Sequence, residues 1–153
     1  MQRHYPERPV AAVGVIIFRD ETVLLVRRGK APRAGDWSLP GGAQELGETL
    51  QEAAAREARE ETGLDVEIIG LVDAVDSITR DAEGRVQYHY SLIDFAAVST
   101  VGLAVAADDA AEVSWARLST LGDYGLWTET ERVIAMAYQV YRTWRDKPKI
   151  KGW

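Results

Sequence analysis

Two apolar, β-branched runs open the chain. Residues 11–18 and 22–27 read as strands, and Arg19-Asp20-Glu21 between them reads as a hairpin turn, which predicts a meander. Pro32, Gly35 and three charges mark 30–36 as a loop, and Pro40-Gly41-Gly42 breaks the pattern again, leaving Trp37-Ser38-Leu39 extended between two loops. A helix is predicted from Thr49, because Thr49 and Glu52 have the spacing of a capping box and alanines follow at 53, 54, 55 and 58. It should end at Gly63, where glycine accepts the left-handed conformation and Leu64 supplies an apolar contact. Residues 65–77 and 86–98 are β-branched and aromatic, with the turn-like Asp81-Ala82-Glu83-Gly84 between them, and should pair antiparallel.

The stretch 99–112, with Gly102 and Asp108-Asp109, reads as a mobile connection, and 113–118 as a short strand. Thr128 and Glu131 repeat the capping spacing, after which Val133, Ala137, Val140, Tyr141 and Trp144 share one helical face up to Arg145. The polar tail, 146–153, is expected to fray. A mixed sheet with two main helices makes the fold class α/β or α+β, a layered sandwich.

Composition narrows the function. At 153 residues, 46% hydrophobic and 27% charged, the chain suits one domain, 1–153, with its core at about 9–145. A formal charge of −6 and a pI near 5.0 argue against nucleic-acid and anionic-membrane partners, which favour basic patches. No apolar stretch approaches the roughly 20 residues that span a bilayer. The amino terminus lacks a clear signal-peptide cleavage site, and the absence of cysteine excludes disulfides and thiolate metal sites, so a cytoplasmic location is expected.

The chemistry is concentrated in the first helix. At about 100° per residue, Glu57, Glu60 and Glu61 fall within roughly a 100° arc of one face. Like charges at this spacing cost a few tenths of a kcal/mol per pair, and acids in the last turn face the negative end of the helix dipole, at about 0.3–1 kcal/mol each. Hard divalent cations reward what the helix does not, since they prefer several carboxylate oxygens. The competing reading is a solvated acidic face balanced by Arg56 and Arg59, with Glu52 and Arg56 a favourable pair four residues apart.

Residues 42–64 read GAQELGETLQEAAAREAREETGL. Gly42, Glu48, Arg56, Glu57, Glu60, Glu61 and Gly63 match the spaced signature of the Nudix hydrolases, which this segment resembles. With each residue type at roughly 6%, seven fixed matches arise by chance on the order of once in 10⁸ starting points or fewer. Ala58 departs from the pattern, which usually has a larger aliphatic residue there. The similarity extends through Trp37-Ser38-Leu39-Pro40-Gly41-Gly42 before the box and the strand, helix and Trp115 after it, covering Pro9 to about Trp144.

The resemblance implies a Nudix-type α/β/α sandwich with its mixed sheet between helices. It also implies hydrolysis of the diphosphate linkage of a nucleoside-diphosphate derivative, with Mg²⁺, or Mn²⁺ in its place, as cofactor. Glu57, Glu60 and Glu61 would be catalytic metal ligands, with Glu57 able to help activate water. Gly41 and Gly42 would lend a backbone carbonyl to the metal, Arg56 would orient the glutamates, and Glu48 would be a partner or outer ligand. For Arg56 and Glu48 a structural salt bridge is the alternative.

Arg27, Arg28, Lys30 and Arg33 lie where cations could hold a diphosphate, with a solvated basic hairpin end as the alternative, except that Arg27 and Arg28 point to opposite faces of a strand, so one should face the site. Asp108, Asp109 and Glu112 are candidates for the general base, with a merely solvated acid as the alternative for each, and Glu112 is also a candidate substrate contact beside Arg27 and Arg28. His89 is expected to be a satisfied strand histidine. Trp37, Tyr88, Tyr90 and Trp127 could stack a base, with core packing their default. The leading substrate is ADP-ribose or a nucleotide sugar, because the chain resembles small bacterial ADP-ribose-pyrophosphatase-like members. Sanitising hydrolysis of a nucleoside triphosphate, or binding without turnover as a nucleotide sensor, are the alternatives. A homodimer is expected from the apolar load of a small acidic domain and the habit of related hydrolases.

Overall fold

A computed structural model describes residues 2–31 and 33–148. The part of the predicted frayed tail from 149 onward lies outside the described residues. β1 (Val10–Arg19) and β2 (Thr22–Arg28) turn at Asp20, whose φ of 52° is left-handed, a conformation that aspartate tolerates better than most residues. Only Phe18 with Val23 and Arg19 with Thr22 pair across this hairpin. Beyond them the strands part. β2 pairs with β3 (Trp37–Ser38) on one edge and β7 (Ala110–Arg117) on the other, while β1 takes β4 (Gly41–Ala43) on the edge that β2 has left. β6 (Val86–Val98) lies parallel to β1, and β5 (Glu67–Arg80) closes antiparallel to β6. The seven-stranded mixed sheet is therefore forked between β1 and β2.

Strand alternation distributes the core to both faces of the sheet. Val13, Val15 and Ile17 pack with Leu24, Phe95 and Ala97 against α1 (Leu50–Thr62), and Ile16 and Phe18 pack with Val23, Leu25 and Ala96 against α2 (Thr128–Arg145). Each helix covers one face, giving the α/β/α sandwich. Ala53, Ala54 and Ala58 are fully buried, so the small residue at 58 lets α1 lie close to the sheet.

The ends of α1 follow the local signals. The Thr49 hydroxyl accepts from the Glu52 N–H at 3.1 Å, and Gly63, at φ 74°, donates its N–H to the Arg59 carbonyl at 2.9 Å. The second predicted cap does not form. α2 starts at Thr128 itself, so Trp127 holds the N-cap position without a side-chain cap bond.

The connection after β6 is tethered, which corrects the expectation of a mobile segment. The Arg19 guanidinium donates to the carbonyls of Ser99, Val101 and Gly102 at 2.7, 2.9 and 3.0 Å. The N–H groups of Val105 and Ala107 donate to the carbonyls of Thr62 and Glu61 at 2.9 and 3.1 Å. These carbonyls belong to the last turn of α1, which a helix cannot satisfy internally. The strap then enters β7 at Ala110, three residues earlier than predicted, so Glu112 is a strand residue.

Candidate functional site

Arg56 organises the acids of α1. Its Nε and Nη2 donate to the two oxygens of Glu48 at 2.6 and 2.9 Å, a bidentate fork, while Nη1 reaches Glu57 at 2.9 Å and Glu60 at 3.1 Å. Nη2 also donates to the Ala43 carbonyl at 3.0 Å, fixing β4 to the helix. The Arg56 hydrogen bond holds the Glu48 carboxyl below its ordinary range, and Glu48 in turn raises the guanidinium. Arg56 therefore joins the loop before α1, the glutamates and β4 in one network.

β4 brings glycine backbone against the same acids. Gly41 N–H donates to Glu61 Oε2 at 3.0 Å, and a Cβ on Gly42 would lie 2.5 Å from Glu57 Oε1, so only glycine admits Glu57 there. Burial pushes the Glu61 carboxyl up to about 8, against the Gly41 hydrogen bond that favours the charged form, and Glu57 adds repulsion. Burial also raises Glu57, opposed by Arg56, with Glu60 and Asp108 adding to the rise. Crowded, partly desolvated carboxylates oppose folding, and a cation would relieve them.

The donor set fits a hard divalent ion: Glu57, Glu60 and Glu61 offer carboxylate oxygens beside a glycine strand that offers carbonyls. Among the described residues, no three acidic side chains converge closely enough to form a metal cluster as they stand. Arg56 engages Glu57 and Glu60, whereas Gly41 engages Glu61. Holding an ion would require these side chains to exchange partners.

The fork in the sheet opens as a cavity of about 440 Å³. Glu61, Gly41, Gly42, Arg28 and Asp109 line it, and so do Trp37, Tyr88, Tyr90 and Trp127, the four aromatic residues for which core packing was the default expectation. Of the two adjacent arginines, Arg28 faces the cavity, and its charge acts to lower Glu61. Arg27 points the other way: it donates to the Gly35 carbonyl at 3.1 Å and pairs with Glu112 at 3.4 Å, both side chains about half exposed. Strand alternation puts Arg27 and Glu112, both expected to contact substrate, outside the cavity wall. Asp109 forms an ion pair with Lys30 at 2.8 Å, and the charges of Asp109 and Asp108 act on Glu61 and Glu57 respectively. His89 is absent from the wall, consistent with its alternating position on β6.

A NUDIX domain model matches residues 8–137. The chain belongs to the NUDIX family. The similar curated proteins include an ADP-ribose pyrophosphatase from Methanocaldococcus jannaschii, 38% identical over 113 residues that make up 74% of this NUDIX chain and 64% of that protein. A MutT-like protein from Streptomyces ambofaciens is 40% identical over 49% of this chain and 47% of its own length. The chain thus spans between about half and two thirds of these relatives. Among solved structures, a MutT NUDIX hydrolase from Burkholderia pseudomallei superposes with a TM-score of 0.73 at 30% identity, covering 85% of this chain and 98% of the other. The NUDIX domain of Shewanella oneidensis NrtR, complexed with ADP ribose, shares the fold with a TM-score of 0.70 at 22% identity over 88% of this chain and 89% of that one.

Polar residues of this NUDIX cavity that sequence reasoning missed include Arg3, Ser77 and, above all, Asp94. Asp94 carried a signal, as one acid inside the apolar run Leu92-Ile93-Asp94-Phe95-Ala96. For Arg3 and Ser77 the sequence shows none, because the alignment of β5 and the amino-terminal arm with the fork is a tertiary matter.

Proposed function

We propose that this NUDIX protein hydrolyses the diphosphate linkage of a nucleoside-diphosphate derivative, ADP-ribose or a nucleotide sugar foremost, with Mg²⁺ as cofactor and Mn²⁺ as a substitute. The observation that carries the reading is Glu61, a glycine strand and Arg28 in the wall of a cavity that also holds four aromatic residues, with Glu57 against Gly42 and joined to Glu60 through Arg56. One part of the cavity suits phosphates and a cation, the other a flat organic group. The similarity to an ADP-ribose pyrophosphatase supports this substrate class over a nucleoside triphosphate.

Glu57, Glu60 and Glu61 would hold the cation, with a carbonyl of Gly41 or Gly42 completing its shell. A divalent ion so bound supplies Lewis acidity and a more acidic water. Arg28 faces the phosphates and neutralises charge that develops on the leaving group. Arg56 acts through the glutamates, holding Glu57 and Glu60 together by its hydrogen bonds. A carboxylate receives the proton of the attacking water: Asp109, which lines the cavity, and Asp108, whose charge reaches Glu57, are the candidates on the strap, with Glu57 on the helix. Binding without turnover is disfavoured because every acidic position of the motif is filled.

The test is a screen of the purified protein over ADP-ribose, nucleotide sugars, dinucleotides and nucleoside triphosphates, with Mg²⁺ and with chelator. Cleavage of a diphosphate-linked nucleotide that stops in chelator is expected. Turnover of none of them would refute the proposal.

A further inference from the structure

We infer that Asp94 is a specificity-determining residue, whose carboxylate accepts hydrogen bonds from N–H or O–H donors on the nucleoside half of the ligand. This rests on the reading of the cavity as a nucleoside-diphosphate site. Asp94 is only 4% exposed and sits between Ile93 and Phe95 in the centre of β6, yet it forms part of the cavity wall. Among the described residues its carboxylate makes no hydrogen bond and no ion pair. Neither oxygen is sealed away from solvent without a partner, and the residue lines the cavity.

The surroundings keep that carboxylate available. Asp73 stands opposite it on β5, but the nearby Arg132 is engaged by Asp73 at 2.8 Å and by Glu129 at 2.6 Å. Gly14, its neighbour on β1, lacks the Cβ that would collide with Asp94 Oδ1, so glycine is what lets the carboxylate lie across β1. An unpartnered buried carboxylate costs stability, and burial with the charge of Asp73 raises this one to about 6. Replacement by an apolar residue would serve the core better, whereas a ligand donor would satisfy the group.

Position selects the part of the ligand. Asp94, Gly14 and Gly41 are in register across β6, β1 and β4, so at about 4.8 Å per strand the Asp94 backbone lies about 10 Å from the glycine that holds Glu61, and its carboxylate, lying across Gly14, about one strand nearer. An interval of one to two strands, about 5–10 Å, matches the reach from a phosphate to the ribose or base of the same nucleoside, so phosphates at Gly41 and Arg28 leave the ribose or base beside Asp94. Tyr88 and Tyr90 share its face of β6 and offer the flat apolar contact that such a group needs. Two donors fit: the exocyclic amine of a base and the ribose hydroxyls.

The full chain and its Asp94→Asn and Asp94→Ala variants are titrated with ADP-ribose whose diphosphate bridge is a methylene, which water cannot cleave there. Two further versions of this ligand carry hypoxanthine for adenine, or lack the adenosine 2′ and 3′ hydroxyls. Affinity should fall about 10- to 100-fold in Asp94→Ala, as for a lost hydrogen bond to a charged group, and less in Asp94→Asn. The thermal midpoint above pH 7 should stay level or rise. The difference between parent and variant should vanish for one modified ligand, and that ligand identifies the donor. Parental affinity in both variants, a difference that survives both modifications, or a lowered midpoint with equal loss for every ligand would overturn the inference. Asp94-dependent binding in a protein that cleaves nothing would sustain it and refute the hydrolase proposal. A parent that binds none of the three ligands would overturn it as well, even if it cleaves another nucleotide.

Discussion

Five hydrogen bonds from one guanidinium hold the candidate site together, and they explain how α1 tolerates so many acids near its carboxyl end. Arg56 is mostly buried, so its bonds to Glu48 and Glu57 are made where water screens them little. Asp94 has no such relief, and its titration gives a prediction with a definite sign. Its folded pKa is raised from 3.8 to about 6 by burial first, then by Asp73, against Arg132. The folded state then binds more protons than the unfolded state between these values, so stability should fall as pH rises from about 4 to about 6 and the contribution should be constant above. Denaturation of parent and Asp94→Asn in parallel across this range should show a decline in the parent that the variant lacks. Equal pH profiles would contradict it. The sequence shows an acid in an apolar strand but not whether a cation stands opposite, which is why Asp94 escaped notice while Arg56 and Glu57, side by side in one motif, did not.

Elements with local determinants were legible. The Thr49 cap and Gly63 fixed α1 because both signals act within a few residues, and β6 runs from Val86 to Val98 as its alternation predicts. β4 was not legible: Gly-Gly-Ala has poor strand propensity, and its pairing depends on the edge of β1 that β2 vacates. The cap expected at Thr128 failed because α2 starts one residue early for it. The strap between β6 and β7 reads as mobile from its small residues, yet Arg19 and the carbonyls at the end of α1 tie it down. Tethering holds Asp108 and Asp109 near the glutamates. If the strap supplies the base, Asp108→Ala or Asp109→Ala should lower kcat by about 10²-fold or more, the usual scale of general-base catalysis, and change the pH profile. Near-parental kcat in both variants from roughly pH 6 to about pH 9 would transfer the role to Glu57.

Taken as one molecule, the protein combines a formal net charge of −6 with a cavity for which we propose a polyanionic ligand, a combination that would make a cation the natural intermediary. Among the described residues no helix is long and apolar enough to cross a membrane. We also propose a homodimer, for which the exposed Leu71, Ile78, Val101, Leu103 and Val105 offer apolar surface. Sedimentation should show a species of twice the 16.9 kDa chain mass, and monomer alone at micromolar concentration would refute it.

The central claim, that the α1 glutamates serve a metal-dependent hydrolysis, is tested most directly at Glu61. AMP release from ADP-ribose is measured for parent and Glu61→Gln across Mg²⁺ concentrations, with thermal denaturation of both. The predicted result is Mg²⁺-dependent cleavage by the parent and a kcat at least about 10²-fold lower in the variant, without loss of thermal stability. Equal cleavage by both proteins, or cleavage by the parent that persists in chelator, would contradict it.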